Sequence, residues 1–122
     1  MARFVYYNRE PSGDKENDCV TRAISLGTKI SYPIIRRKLF HSSRLLQCEK
    51  LNVCCYSFLI EDVFKCEPVY CKGLTVAEFA DLHPQGTYLV RIDGHLTCVI
   101  DNVCYDIWNC LDKEADIAWR VD

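Results

Sequence analysis

The sequence predicts an α+β fold, helices first and an antiparallel sheet after them, and three observations carry that prediction. Residues 32–46 repeat apolar side chains at helical spacing, and residues 19–26 do the same behind a pair of good N-capping residues. From Thr87 onward the pattern changes to alternation, broken by Asp93-Gly94 and Asp101-Asn102, both of which signal two-residue hairpins. A length of 122 residues with 49% hydrophobic side chains suits one core, so residues 1–122 are expected to form a single domain.

Taken in order, residues 3–7 are rich in aromatic and β-branched side chains and read as a short strand. Residues 8–18, with Pro11, Ser12 and Gly13, read as a polar loop. Asn17 or Asp18 serves as N-cap for a helix over Cys19–Leu26, which Gly27 is expected to end. Thr28 or Ser31 caps the next helix, with Pro33 in its first turn, running to about Leu46. Its inward stripe is Tyr32, Ile35, Leu39, Ser42 and Leu46, which leaves Arg36, Arg37 and Arg44 outside. Within residues 47–72 the pattern is ambiguous, and Val53–Ile60 fits helix or strand. Thr75-Val76-Ala77-Glu78 is a capping box opening a helix to about Leu82, and His83-Pro84 ends it. Strands then run from Thr87 to Ile92, from His95 and from Val103, with Ile117–Val121 as a candidate addition.

The bulk composition narrows the function. A net charge of −2 argues against non-specific nucleic-acid binding. The charge is uneven, because residues 29–50 hold six Lys/Arg against one Glu. A solvated helix face explains most of that, and a protein partner meeting the basic helix at 32–46 is the alternative. No stretch approaches the roughly 20 apolar residues of a membrane span, so no membrane partner is expected. The first residues contain no apolar run of signal-peptide length, and a cytoplasmic location is expected. Nine cysteines, an odd number, argue against a complete disulfide framework and for reduced thiols. Cys54, Cys55, Cys66 and Cys71, with Cys104, Cys110 and His41, offer zinc donors, but their spacing lacks paired knuckles, so neither metal nor cofactor is expected.

The hairpin at Asp101-Asn102 carries the chemistry. A two-residue turn pairs Ile100 with Val103, Val99 with Cys104, Thr97 with Asp106 and His95 with Trp108. Asp106 is then the diagonal neighbour of His95 on one face, and Trp108 opposite can shield the pair from water. A carboxylate on one imidazole nitrogen fixes the tautomer and leaves the other for a nucleophile. Cys19 supplies that nucleophile, since a helix N-terminus favours the thiolate.

Cysteine on a helix N-terminus, histidine opening a strand and Asp on the next strand, with a tryptophan two residues later, resembles the papain-like cysteine peptidase superfamily. The segments Asn17–Ile24, Gly86–Leu96 and Tyr105–Trp108 resemble small uncharacterised papain-fold proteins of phage and bacterial genomes. The resemblance implies an N-terminal helix carrying Cys19 packed on a C-terminal antiparallel sheet carrying His95 and Asp106. It implies a thiol-dependent hydrolase, peptidase or amidase, acting on a protein or peptide in the cytoplasm, the host's if the chain is viral. Papain-type enzymes also place an oxyanion-binding glutamine ahead of the cysteine; the matching position here is Gly13. The expected donors are instead the Cys19 amide with Asn17 or Asn8. The same triad supports deamidation or acyl transfer, and the same scaffold, catalytically weak, supports host-factor binding.

Overall fold

A six-stranded sheet in the order β1-β5-β4-β3-β6-β2 runs through the molecule, with helices on both of its faces. The computed structural model describes residues 1–13 and 18–121. Its strands are β1 (Arg3–Tyr6), β2 (Glu67–Val69), β3 (Thr87–Ile92), β4 (His95–Ile100), β5 (Val103–Asp106) and β6 (Ile117–Arg120). Among the described residues four α-helices accompany them: α1 (Cys19–Thr28), α2 (Tyr32–Leu46), α3 (Val53–Phe58) and α4 (Val76–Leu82).

The central strands are where the sequence alternation is cleanest. On β3, Leu89 turns toward α1–α3, while Tyr88, Val90 and Ile92 turn toward α4. Leu96 and Cys98 of β4 join the first layer, and Val99 joins the second. Burying both faces of the sheet makes β3 almost wholly inaccessible. Trp119 of β6 is fully buried in the first layer, and its indole N–H donates to Glu61 at 2.7 Å.

Both predicted hairpins are present. Ile92 pairs with His95 around Asp93-Gly94, and Ile100 pairs with Val103 around Asp101-Asn102. Asp101 and Asn102 have φ of 49° and 68°, the left-handed pair that matches the strand twist in a tight hairpin. The ladder follows the expected register through Cys98–Tyr105 and stops there. Trp108 lies beyond the end of β5 and is not the ladder partner of His95. The sheet also exceeds a C-terminal meander. β1 joins it from the N-terminus, parallel to β5, with Tyr6 beside Asp106, and β2 adds to the far side of β6.

The helices show where local signals were misread. α1 continues through Gly27 to Thr28, and Lys29 at φ 61° makes the left-handed exit instead. Gly27 answers to packing: a Cβ there would stand 3.1 Å from a Leu89 side-chain carbon, so any larger residue would push Leu89 back by a few tenths of an ångström. α2 buries Tyr32, Ile35, Leu39 and Ser42 as expected, but Leu46, one residue before the left-handed Gln47, is exposed. Val53–Phe58 resolves as helix, capped by Asn52, whose side chain accepts from the Cys54 N–H at 2.9 Å. It runs on into a π-helical turn over Leu59–Val63. The Thr75–Glu78 capping box is made in both directions, at 3.1 and 2.9 Å.

Candidate active site

Three elements deliver the site: the first turn of α1, the first residue of β4 and the last of β5. Asp18 holds the N-cap position of α1, yet its carboxylate caps no backbone amide. It accepts from the Thr21 hydroxyl at 2.7 Å and meets Lys50 at 4.0 Å. The opening amides of the helix are therefore not taken by the N-cap side chain, and Cys19 stands on them.

His95 and Asp106 meet as the hairpin register predicts. The Nε2 of His95 lies 2.6 Å from Oδ2 of Asp106. The carboxylate is buried, and its other oxygen accepts from the Ile107 N–H at 2.7 Å, so both oxygens are engaged. β1 locks the strand end behind it, the Tyr7 N–H donating to the Asp106 carbonyl at 2.9 Å. With Nε2 committed to Asp106, Nδ1 is the nitrogen left to face Cys19, and the thiol and the ring each shift the other's proton affinity. Trp108 reaches the site through the bend after β5, its ring edge-on to His95 at 5.1 Å between centroids. It is 44% exposed, and Lys113 Nζ stands over its ring at 5.9 Å from the centroid.

The electrostatics agree with the geometry. Burial resists a thiolate at Cys19, but hydrogen bonds from His95 and the Leu96 amide, with the charges of His95 and Arg22, outweigh it and lower the pKa. Burial also resists the imidazolium, yet hydrogen bonds and charges from Asp106 and Cys19 push His95 up to about 10. Both shifts favour the thiolate–imidazolium form of the pair over the neutral one. The contrast with Cys98 is instructive: complete burial, then the nearby Asp106 charge, drive that thiol far upward.

Of the oxyanion candidates, Asn8 turns its Oδ1 to the Glu10 N–H at 3.1 Å, and Asn17 lies outside the described residues. Sequence reasoning missed Arg22, although it lies one turn after Cys19, where helical spacing puts it beside the thiol. It also missed the Leu96 amide, a backbone group that no side-chain pattern can announce. A cleft of about 10 Å³, room for one water, is lined by Cys19 and Arg22 together with Tyr7, Arg9 and Tyr105. Arg9 ties its wall to α1 by donating to the Ser25 hydroxyl at 3.1 Å.

The cysteine cluster considered for zinc disperses. Cys54 is exposed, Cys55 donates to the Leu39 carbonyl at 3.7 Å, and Cys66 and Cys71 lie in opposite core layers. His41 is exposed on α2. Among the described residues the donors that converge are His95, Asp106 and Cys110, all within 4.8 Å of one another. They are the residues able to hold a metal. The 2.6 Å contact of His95 with Asp106 is shorter than the roughly 3.3 Å separating two ligands of one tetrahedral zinc, so the pair would have to part. His83, which closes α4, places Nδ1 3.0 Å from the Phe79 carbonyl and acts as a cap. No helix among the described residues is long and apolar enough to cross a membrane.

Comparison with protein-family models, with curated proteins and with solved structures finds no match to this chain.

Proposed function

We propose that the chain is a papain-like, thiol-dependent hydrolase that cleaves an amide bond of a protein or peptide. The observation that carries the reading is the line Cys19–His95–Asp106, with Nε2 to Oδ2 at 2.6 Å and the thiol on a helix N-terminus. In this reading the Cys19 thiolate attacks the carbonyl carbon, and electrons shift to the carbonyl oxygen. The Cys19 backbone N–H, with Asn8 or Asn17, donates to that oxyanion. The tetrahedral species collapses as His95 gives its proton to the leaving amine, which leaves a thioester. A water then attacks the thioester, its proton passing to His95. Loss of the acid returns thiolate and imidazolium. Asp106 holds the ring in place throughout and offsets its positive charge.

An amine in place of water gives acyl transfer through the same thioester, and a side-chain carboxamide as substrate gives deamidation. A cytoplasmic setting belongs to the proposal, since an odd set of nine cysteines fits a reducing compartment.

The test is a competition between thiols. Cys54 is exposed while Cys19 is buried, so accessibility alone favours Cys54. A small alkylating reagent at neutral pH, followed by mass mapping of labelled cysteines, is expected to modify Cys19 faster than Cys54. That advantage disappears in His95→Ala. Labelling of Cys19 no faster than Cys54, or unchanged by His95→Ala, removes the ion-paired nucleophile and the proposal with it.

A further inference from the structure

The outer side of α2 combines features that the candidate active site does not use. Between Tyr32 and Leu46 there are four cations, Arg36, Arg37, Lys38 and Arg44, and no Asp or Glu. The three arginines are exposed, and none of the four pairs with a carboxylate among the described residues. Large apolar side chains stand among them: Phe40 is 56% exposed and Leu45 61%. Unpaired cations are ordinary on a surface, and so are single exposed apolar residues. Their interleaving around a groove is not.

That groove lies where α2 runs beside α3 and the π-helical turn. It encloses about 590 Å³, with Leu45, Phe58, Leu59 and Val63 forming apolar walls and Arg37 and Lys38 on the rim. A second hollow of about 700 Å³, lined by Arg37, Phe40, His41, Arg44 and Leu45, adjoins it through shared residues. Among the described residues no carboxylate lines either hollow, and Glu10 enters only a third hollow beside Arg36, Arg37 and Phe40. On α2 the lining of both hollows runs from Arg37 to Leu45, about 13 Å of helix, which matches two to three turns of a partner helix.

We propose that this groove is the docking site for an acidic amphipathic helix of a partner protein. Apolar anchors of the partner at i, i+3 or i+4 and i+7 enter the groove, and its flanking carboxylates meet Arg37, Lys38 and Arg44. Charge complementarity selects the occupant, because an acidic segment is the one amphipathic helix that this rim attracts. Shape and surroundings argue against the other polyanions. A flat lipid headgroup layer cannot fill a concave groove. A phosphate backbone would leave Phe40, Leu45 and Val63 facing charge, on a chain whose net charge is −2. The proposal stands apart from the hydrolase reading and survives its failure.

A displayed library of random peptides of about five helical turns, selected on the full chain, tests it. The enriched peptides are expected to carry an apolar stripe at helical spacing flanked by Asp and Glu. Their affinity, read by fluorescence anisotropy, is expected to fall at least about tenfold in Arg37→Glu/Arg44→Glu and in Leu45→Asp, and the effect of the first to shrink as salt rises. All three positions are exposed, and an unchanged Cys19 alkylation rate verifies that each variant is folded. The proposal is overturned if no peptide enriches, if the winners lack acidic residues, or if they still bind both variants. It is equally overturned if the same residues instead drive sedimentation with phosphatidylserine vesicles or concentration-dependent self-association.

Discussion

Asp106 holds its position with two acceptors, and that fixes which substitutions it tolerates. One oxygen takes the proton on His95 Nε2, and the other takes the Ile107 N–H. An asparagine can satisfy only one of these donors, because its amide nitrogen would face the other N–H. In a buried setting the unpaired donor costs about 1–3 kcal/mol. Asp106→Asn also removes the charge that helps hold His95 at about 10. His95 is then expected to fall toward its ordinary 6.5, and Cys19, deprived of a fixed imidazolium, to rise. Alkylation of Cys19 at neutral pH should slow by at least about tenfold, the equivalent of one pKa unit. A titration of the His95 ring by NMR, beside the alkylation rate, checks both halves. A His95 titration unmoved by the substitution would show that Asp106 only positions the ring.

At the level of the elements, the hairpin between β4 and β5 decides whether His95 and Asp106 share a face. A slip of one residue would turn Asp106 to the other side of the sheet. The register rests on the left-handed Asp101-Asn102 pair, pinned by the Gly86 N–H donating to the Asp101 carboxylate at 2.9 Å. A β-branched residue resists φ near 68° by about 1–2 kcal/mol. Asn102→Val should therefore lower the unfolding free energy by that amount, and with it the denaturation midpoint, and slow Cys19 alkylation, whereas Asn102→Gly should preserve both. Equal midpoints for the two variants would mean that the turn does not set the register. This hairpin was legible because turn chemistry and alternation are local. The basic helix and the capping box were legible for the same reason. The pairing of β1 with β5 was not, since parallel partners a hundred residues apart leave no mark on either segment. Gly27 misled because one residue type serves both helix exits and close packing, and only Leu89, distant in sequence, tells which. Residues 47–72 resisted because a π-helical turn has no pattern of its own. Of the candidate site, the meeting of His95 with Asp106 was readable from the hairpin register, whereas the approach of Trp108 through the bend after β5, the nearness of Arg22 and the Leu96 amide were not.

Over the whole molecule, the ion pair couples the site to stability. Cys19 and His95 enter the fold with opposite changes in proton affinity. A lowered thiol contributes stability that is fully present above its ordinary 9.0 and is lost as pH falls through the folded value. A raised imidazole contributes stability that is fully present below its ordinary 6.5 and is lost as pH rises through about 10. Each charged form depends on the other, so their joint contribution is largest between these limits and declines on both sides. Subtracting a variant cancels the remaining titratable groups. The difference in unfolding free energy between the chain and Cys19→Ala, measured by denaturant across roughly pH 5 to 10, should therefore describe a bell. Its acid limb follows protonation of Cys19, and its alkaline limb follows loss of the proton from His95. In the His95→Ala background the same subtraction should lose the alkaline limb, because no imidazolium remains to be discharged. A difference that stays flat across this range would mean that Cys19 is an ordinary buried thiol, and the bell would show the charged pair at rest in the folded chain.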